Sequence, residues 1–197
     1  MALRDIPARV RAHVTTELNL GDPVAASVTF LGVEPIEVLR YGPAGGDPQG
    51  LVYYVTSGCS QHPMGDPADL MADPVRGPRA EILMRLRGGV DQVLRPLAVL
   101  AASPSVDGLV LAADSLVDLS EPLWPGSAFT AVVLGPCDIA PLTLSEPMSA
   151  VEFFEAVPVT ATEAAWVRLR GVAALREAWK EASIDTADPA RSAVRMS

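Results

Sequence analysis

The sequence predicts an α+β fold, in which a mixed, largely antiparallel sheet packs against about three helices. Helical apolar spacing occurs near both ends of the chain and once in the middle, and segments rich in β-branched and aromatic residues lie between. This order of elements does not alternate as regular βαβ units. Hydrophobic residues make up 49% of the 197 residues, enough to bury a full core.

The first helix is predicted from Asp5 to Asn19, because Pro7 is tolerated in a first turn and apolar residues then recur at helical spacing. Two β-rich segments follow, at residues 26–31 and 36–41, and they could form a hairpin. After a turn rich in glycine and proline, residues 51–56 give the strongest β signal in the chain. That strand is expected to be central.

The middle of the chain predicts another strand and a helix. Residues 79–87 alternate charged and apolar side chains, which indicates a half-buried strand with one face in water. Asp91 could cap a helix that runs to residue 102, and Pro96 would kink it.

Further strands are predicted at residues 108–113, 129–134 and 151–159. Thr160 and Glu163 have the spacing of a capping box, so a last helix should begin there and run to about residue 182. We therefore expect a single domain over residues 1–183. Periodicity is lost after it, so residues 184–197 are expected to form an extended or disordered tail.

The charge and hydropathy of the chain exclude several classes of function. A net charge of −9 is the wrong sign for binding nucleic-acid phosphates and favours a basic protein partner instead. No apolar run approaches the roughly 20 residues of a membrane span, so no membrane contact is predicted. The first residues lack the features of a signal peptide, which favours a cytoplasmic location.

Cys59 and His62 are close in sequence after the strongest strand, so a thiolate–imidazole relay of a hydrolase-like enzyme is one alternative. The ordinary interpretation is a half-buried thiol and a loop histidine. The same two residues with Cys137 match no compact zinc motif. The loop acids, Asp66, Asp69 and Asp73, lack a calcium-loop pattern, and no phosphate-binding loop is present in the sequence, so no cofactor is predicted.

The twelve residues at positions 53–64 resemble a strand and loop of the Suppressor of fused domain family. The matching positions are Tyr54, Val55, Thr56, Gly58, Ser60, Pro63 and Met64. Residues 79–82, 93–98, 127–134 and 151–160 are similar to later elements of that family. The resemblance spans residues 25–182 and is to the bacterial, single-domain form.

This resemblance implies an α+β fold and a non-enzymatic, protein-binding role. The animal member of the family sequesters a transcription factor by clamping a peptide, partly through strand addition. Bacterial members resemble immunity proteins, which bind and neutralise the toxin domains of polymorphic toxin systems. An immunity-type protein with a basic toxin as partner is therefore the favoured hypothesis, and a self-associating regulatory or structural subunit is a further alternative.

The partner is expected to bind at the loop of residues 57–73 or at an exposed sheet edge. Within that loop Gln61, His62 and Met64 are the candidate partner-binding residues, because they are large side chains beside backbone-fixing Gly58 and Pro63. The alternative is a loop packed on its own domain, and we favour this alternative for Met64.

Overall fold

A computed structural model describes residues 5–30, 34–43, 49–65 and 73–195. Its strands are β1 (Val24–Val28), β2 (Ile36–Tyr41), β3 (Leu51–Ser57), β4 (Arg79–Arg87), β5 (Leu116–Asp118), β6 (Phe129–Pro136) and β7 (Val151–Thr160). Its α-helices are α1 (Ile6–Leu18), α2 (Leu94–Asp107), α3 (Ala161–Arg170) and α4 (Val172–Glu181). The predicted α+β class is confirmed.

The strands form one seven-stranded sheet in the order β1-β2-β3-β4-β7-β6-β5. Every pairing is antiparallel except that of β4 with β7, which is parallel and joins the two halves of the sheet. β1 and β2 pair as a hairpin, from Val24 opposite Arg40 to Val28 opposite Ile36, although β1 begins two residues before the predicted segment 26–31 and ends at Val28. The sheet is thus mixed and largely antiparallel, as the sequence predicted.

Both faces of the sheet are covered. α2 lies on one face in a core cluster with buried side chains from five strands, among them Val38, Tyr54 and Ile82. On the other face α1 packs over β2, β3 and β4, and α3 with α4 packs over β6 and β7. None of the helices that the structure describes has both the length and the apolar composition to span a membrane.

The prediction that β4 has one face in water is wrong. Arg79 and Glu81 are buried, although they occupy the charged positions of the alternating pattern. Because β4 is the middle strand of a sheet covered on both faces, its charged side chains must find partners inside the protein. The alternating pattern correctly predicted which side chains share a face of β4. It did not predict that both faces are buried.

Three further expectations need correction. Residues 108–113 are not a strand, and the edge strand β5 follows them instead. α2 begins only at Leu94, so Pro96 lies in its first turn, where a backbone N–H has no intrahelical partner. The last predicted helix is two helices, because Gly171 interrupts it with φ +82° and ψ 166°.

Residues 184–195 return to the sheet and pack beside the core of α3 and α4. Arg191 and Val194 on this segment are buried, and Ala187 accepts a backbone hydrogen bond from Arg87 at the end of β4. The predicted capping box at Thr160 and Glu163 is present, with both of its reciprocal hydrogen bonds. Glu163 thus caps α3 and also accepts a hydrogen bond from Arg191 of the C-terminal segment.

Candidate functional site

A buried carboxyl group holds the turn that follows β3. Oε1 of Glu81 accepts hydrogen bonds from the backbone N–H of Gly58 (2.9 Å), the N–H of Ser60 (3.0 Å) and the hydroxyl of Ser60 (2.6 Å). Oε2 accepts a hydrogen bond from the hydroxyl of Thr56 at 2.6 Å. Four neutral donors thus satisfy a side chain that is completely buried.

Arg79 holds the other side of the same turn. Its Nη1 donates to the carbonyl oxygens of Ser60 and Gln61, each at 2.7 Å, and its Nη2 donates to the carbonyl of Val75 at 3.0 Å. Burial lowers the pKa of Arg79 from its ordinary value. Arg79 and Glu81 both lie on β4 and both form hydrogen bonds to this turn. The 3₁₀ turn Cys59–Gln61 is therefore fixed to the middle strand of the sheet.

Gly58 is required at the start of this turn. Its φ is +134°, a backbone conformation that residues with a side chain rarely adopt. A Cβ atom there would also lie 3.0 Å from the carbonyl oxygen of Pro35. The glycine therefore lets the turn pass close to the segment that enters β2.

The three candidate partner-binding residues lie in different environments. Gln61 is 8% exposed and Met64 is 5% exposed, and Sδ of Met64 accepts a hydrogen bond from the N–H of Leu111 at 3.4 Å. The side chain of His62 is 54% exposed, and its Nε2 lies 3.6 Å from Oε2 of Glu34. Only His62 of the three presents its side chain to solvent in the free chain, and a partner role for all three stays a prediction.

Cys59 lies in the core below α2 and is a free thiol. Burial, and secondarily the charge of Glu81, raise the pKa of the Cys59 thiol well above its ordinary value. A thiol held in its protonated form is a poor nucleophile. Among the described residues no hydrogen bond joins Cys59 to His62, so the geometry of a relay is not formed.

The candidate metal ligands do not converge. Within the described ranges, no three side chains of histidine, cysteine, aspartate or glutamate form a group that could hold a metal ion. Asp66 and Asp69 lie outside the described residues. Oδ1 of Asp73 accepts hydrogen bonds from the backbone N–H groups of Val75 and Arg76, as in an ordinary turn.

A groove of about 940 Å³ lies between α1 and the hairpin of β1 and β2. α1 covers β2 and β3 but leaves β1 uncovered, and the gap becomes the groove. The lining residues come from α1, the α1–β1 and β1–β2 connections and three strands: Pro7, Ala8, Arg11, Ala12, Thr15, Asp22, Pro23, Ser27, Pro35, Glu37 and Ser57. Its volume is in the range of sites that bind peptides or small molecules.

The floor of the groove is a polar row across the sheet. Ser27 is paired with Glu37, and Glu37 is paired with Ser57, so the three side chains lie on the same face. The hydroxyl of Ser57 donates to the carbonyl oxygen of Pro7 at 3.2 Å, which closes the groove at the N-terminal end of α1. Ser57 also directly precedes the turn that Glu81 holds, so the turn and the groove share a boundary.

β1 forms an open edge of the sheet beside the groove. Among the described residues it pairs with β2 alone, and Val24 is 70% exposed. Such an edge carries backbone N–H and C=O groups without strand partners and can accept a further strand. At the opposite edge β5 has only three residues. The open edge long enough to take a partner strand is therefore the one that borders the groove.

The sequence matches one known protein family over most of its length. The sequence profile of the family described as "Suppressor of fused protein (SUFU)" matches residues 32–192, well over half of the chain. The chain belongs to the SUFU family. The turn that Glu81 and Arg79 hold lies within the matched range, as do the 53–64 segment and β4. No curated protein sequence matches the chain significantly.

Solved SUFU structures have the same fold. A putative SUFU homologue from Neisseria gonorrhoeae is 21% identical, with a TM-score of 0.73 over 98% of this chain and 99% of that one. The protein in a structure of the Sufu–Fu complex is 12% identical, with a TM-score of 0.70 over 96% of this chain and 92% of that one. Drosophila Suppressor of Fused is 13% identical, with a TM-score of 0.63, and the match covers 90% of this chain but 46% of that one.

The sequence did not predict the groove or the buried charges beneath the turn. The sequence did contain a signal for the buried charges: Thr56, Gly58 and Ser60 recur at every second position, and all three donate hydrogen bonds to Glu81. The groove has no comparable signal, because its lining residues are scattered between positions 7 and 57.

Proposed function

We propose that this SUFU-family chain is a non-enzymatic, cytoplasmic binding protein of the immunity type, which binds and neutralises a toxin domain. The observation that carries this proposal is the groove between α1 and β1, bordered by an open strand edge. Groove and edge together suit an extended segment of another protein, which would pair with β1 and place its alternate side chains in the groove. A similar fold is found in a Sufu–Fu complex.

The charge of the groove favours a basic partner. Among the described lining residues Asp22 and Glu37 are acidic and Arg11 is the one cation, and Glu34 is adjacent to Pro35 at one end of the groove. The chain as a whole carries a net charge of −9. Complementary charge speeds the encounter of two proteins and disfavours partners of the wrong sign. We therefore propose that the neutralised toxin domain is basic where it is bound.

His62 extends the proposed surface beyond the groove. Its exposed imidazole lies beside Glu34, next to the groove residue Pro35. Gln61 and Met64 support it from below, since both are buried: the carbonyl oxygen of Gln61 accepts a hydrogen bond from Arg79, and the N–H of Met64 donates to the carbonyl oxygen of Pro78. In this proposal His62 contacts the partner, whereas Gln61 and Met64 act by holding the loop in place.

The experiment is to capture partners with the tagged full chain from its native source at moderate salt and to identify stoichiometric partners by mass spectrometry. The proposal predicts recovery of a protein whose toxic activity the purified chain suppresses in a stoichiometric manner. Repeated recovery of the chain alone, from cells shown to express candidate toxins, would contradict it.

A second measurement distinguishes the hydrolase-like alternative from the binding proposal. Cys59→Ala removes the one thiol that the alternative needs, so an enzyme would lose its effect on the toxin. The binding proposal predicts that Cys59→Ala suppresses the toxin at the same stoichiometry as the unmodified chain. Cys137→Ala is the matched control, because Cys137 is also a free thiol but lies against the α1 core.

A further inference from the structure

One acid on the groove floor differs from the other enclosed acids of the protein. Among the described residues, the acids that are buried or half-buried are Glu37, Glu81, Glu155, Glu163 and Asp188. The carboxyl groups of the other four accept hydrogen bonds, whereas that of Glu37 has no hydrogen-bond or ion-pair partner within the described part of the chain. A carboxylate that loses part of its water without gaining a partner is unfavourable. A cation from outside the chain would remove this cost.

The cation of the groove does not pair with Glu37. Arg11, the one cation among the described lining residues, lies midway along α1 and forms no ion pair with it. Burial raises the pKa of Tyr41, and the charges of Arg11 and Asp22 act on that pKa in opposite directions, so both charges lie near the Tyr41 hydroxyl. Tyr41 is four residues along β2 from Glu37, about 13 Å in a strand. Arg11 and Asp22 thus offset each other toward the Tyr41 end of the groove.

The register of β1 fixes which positions of an added strand would face the groove. Ser27 is paired with Glu37 and lines the groove. Ala25, two residues before it, is on the same face, and its register partner Leu39 packs in the α1 core. Pro23 bounds β1, because proline has no N–H to donate to a neighbouring strand. A strand paired with β1 therefore presents two alternate side chains to the groove, opposite Ser27 and opposite Ala25.

The position opposite Ser27 continues the polar row of the groove floor. From the added strand inward, the row passes through Ser27, Glu37 and Ser57. The added residue would be two strand spacings from Glu37, or about 10 Å. Because the side chain of Ser27 is short and exposed, a long side chain can lie across it with its charged end at the carboxylate of Glu37. Lysine and arginine have both the length and the charge that this position requires.

The position opposite Ala25 has a different chemistry. Ala25 is exposed and is followed in its row by the buried Leu39, so the row offers no side-chain charge or hydrogen-bonding group here. On the other wall of the groove, Ala8 and Ala12 of α1 are also small and exposed. Small apolar walls leave room for a larger apolar side chain, which gains free energy when it leaves water.

We propose that Glu37 is the specificity-determining residue of the groove, and that it selects a partner strand with a lysine or arginine opposite Ser27 and an apolar residue opposite Ala25. The two partner residues are two positions apart. In an antiparallel partner strand the cation comes first along the chain, and in a parallel one the apolar residue comes first. This selection rests on the proposed function, since it requires a protein segment at the edge of β1.

A display library of random nine-residue peptides, selected on the purified full chain, tests the pattern without the natural partner. Enriched peptides should carry a lysine or arginine two positions from an apolar residue. Peptides selected on Glu37→Lys should carry aspartate or glutamate in place of that cation, because a reversed charge in the groove rejects the original one. Glu152→Lys is the matched control, since Glu152 is exposed on β7, and it should return the basic pattern. No enriched peptide, no preferred charge, or the basic pattern on Glu37→Lys would contradict the proposal.

The affinity of the enriched peptides separates the role of Glu37 from that of the groove. Glu37→Gln keeps the size of the side chain and removes its charge, so we expect binding at least about tenfold weaker with an unchanged melting temperature. Ser27→Arg, which blocks the groove floor, should abolish binding. If Ser27→Arg abolishes binding and Glu37→Gln does not weaken it, the role of Glu37 is overturned and the groove remains the binding surface. If neither variant weakens binding, both the role of Glu37 and the groove are overturned.

Discussion

Glu81 and Glu163 are both completely buried, yet their carboxyl groups are satisfied in different ways. Glu81 accepts four hydrogen bonds from neutral donors, all from residues 56–60. Glu163 pairs with Arg191, which is 28 positions away, in addition to its role in the capping box. The first carboxyl group fixes a local turn at the sheet, whereas the second ties the end of the chain to the domain.

The two carboxyl groups therefore stabilise the fold in two different ways, one local and one long-range. A carboxyl group with neutral partners makes a rigid local element, because every donor comes from one short segment. A carboxylate with a distant cation makes a long-range connection that is lost when the cation leaves. The groove borders the rigid turn, so its shape is set before a partner arrives.

The largest effect is expected for Glu81→Ala. The substitution leaves four buried donors without an acceptor, and at roughly 1–3 kcal/mol each the free energy of unfolding should fall by about 5 kcal/mol or more. Urea denaturation measures it. Glu152→Ala is the matched control, because Glu152 is opposite Ala80 on β7 and exposed, and it should change the stability by less than about 0.5 kcal/mol. Equal losses would show that Glu81 does not hold the turn.

Arg191→Met should have the next largest effect. It leaves the carboxylate of Glu163 buried without its cation, which lowers the free energy of unfolding by about 3–5 kcal/mol. Arg95→Met is the control, because Arg95 lies exposed on α2. In a double-mutant cycle with Glu163→Gln, the combined loss should be smaller than the sum of the single losses. Additive losses would mean that the two side chains do not interact.

The same pair makes stability depend on pH. Burial alone would raise the pKa of Glu163, but hydrogen bonds from Arg191, Trp179 and Thr160 outweigh it and hold the pKa below its ordinary value. A carboxyl group with a lowered pKa stabilises the fold above the unfolded pKa of about 4.3 and loses that contribution as the pH falls through the folded value. The stability difference between the unmodified chain and Arg191→Met should therefore be largest near neutral pH and shrink in acid. A difference that grows in acid would contradict this account.

A smaller effect is expected for Ser60→Ala. This change removes one of the four donors to Glu81 and keeps the N–H of Ser60 in place. The loss should be about 1.5–3 kcal/mol, the range for a hydrogen bond to a charged group. Ser27→Ala at the exposed groove floor is the matched control and should be close to neutral in thermal unfolding. A Ser60 variant as stable as the Ser27 variant would show that the hydroxyl adds nothing to the turn.

The local elements of this fold were largely readable from the sequence. β2 occupies residues 36–41 as predicted, because a proline and a glycine-rich turn bound it, and the capping box at Thr160 starts α3 as predicted. The split of the last helix at Gly171 was missed, because a single glycine is tolerated in many helices. The strand expected at residues 108–113 failed because an apolar run also suits a segment that packs without pairing.

The long-range features could not be read in the same way. An alternating pattern shows which side chains share a face, but not that helices cover both faces of β4. Nothing near Glu163 indicates that its cation lies in the C-terminal segment, since Arg191 is 28 positions away and meets Glu163 only in the folded chain. The groove likewise depends on where α1 lies over the sheet, which a one-dimensional pattern does not specify.

The central claim is that the groove beside β1 is the surface that binds a protein partner. The most direct test is the affinity of the captured partner for Ser27→Arg, which places a bulky cation on the groove floor, compared with Ser105→Arg, the same change at an exposed position on α2. The account predicts that Ser27→Arg binds at least about 100-fold more weakly, whereas Ser105→Arg binds like the unmodified chain. Equal affinities for the two variants would show that the partner binds elsewhere and would contradict the claim.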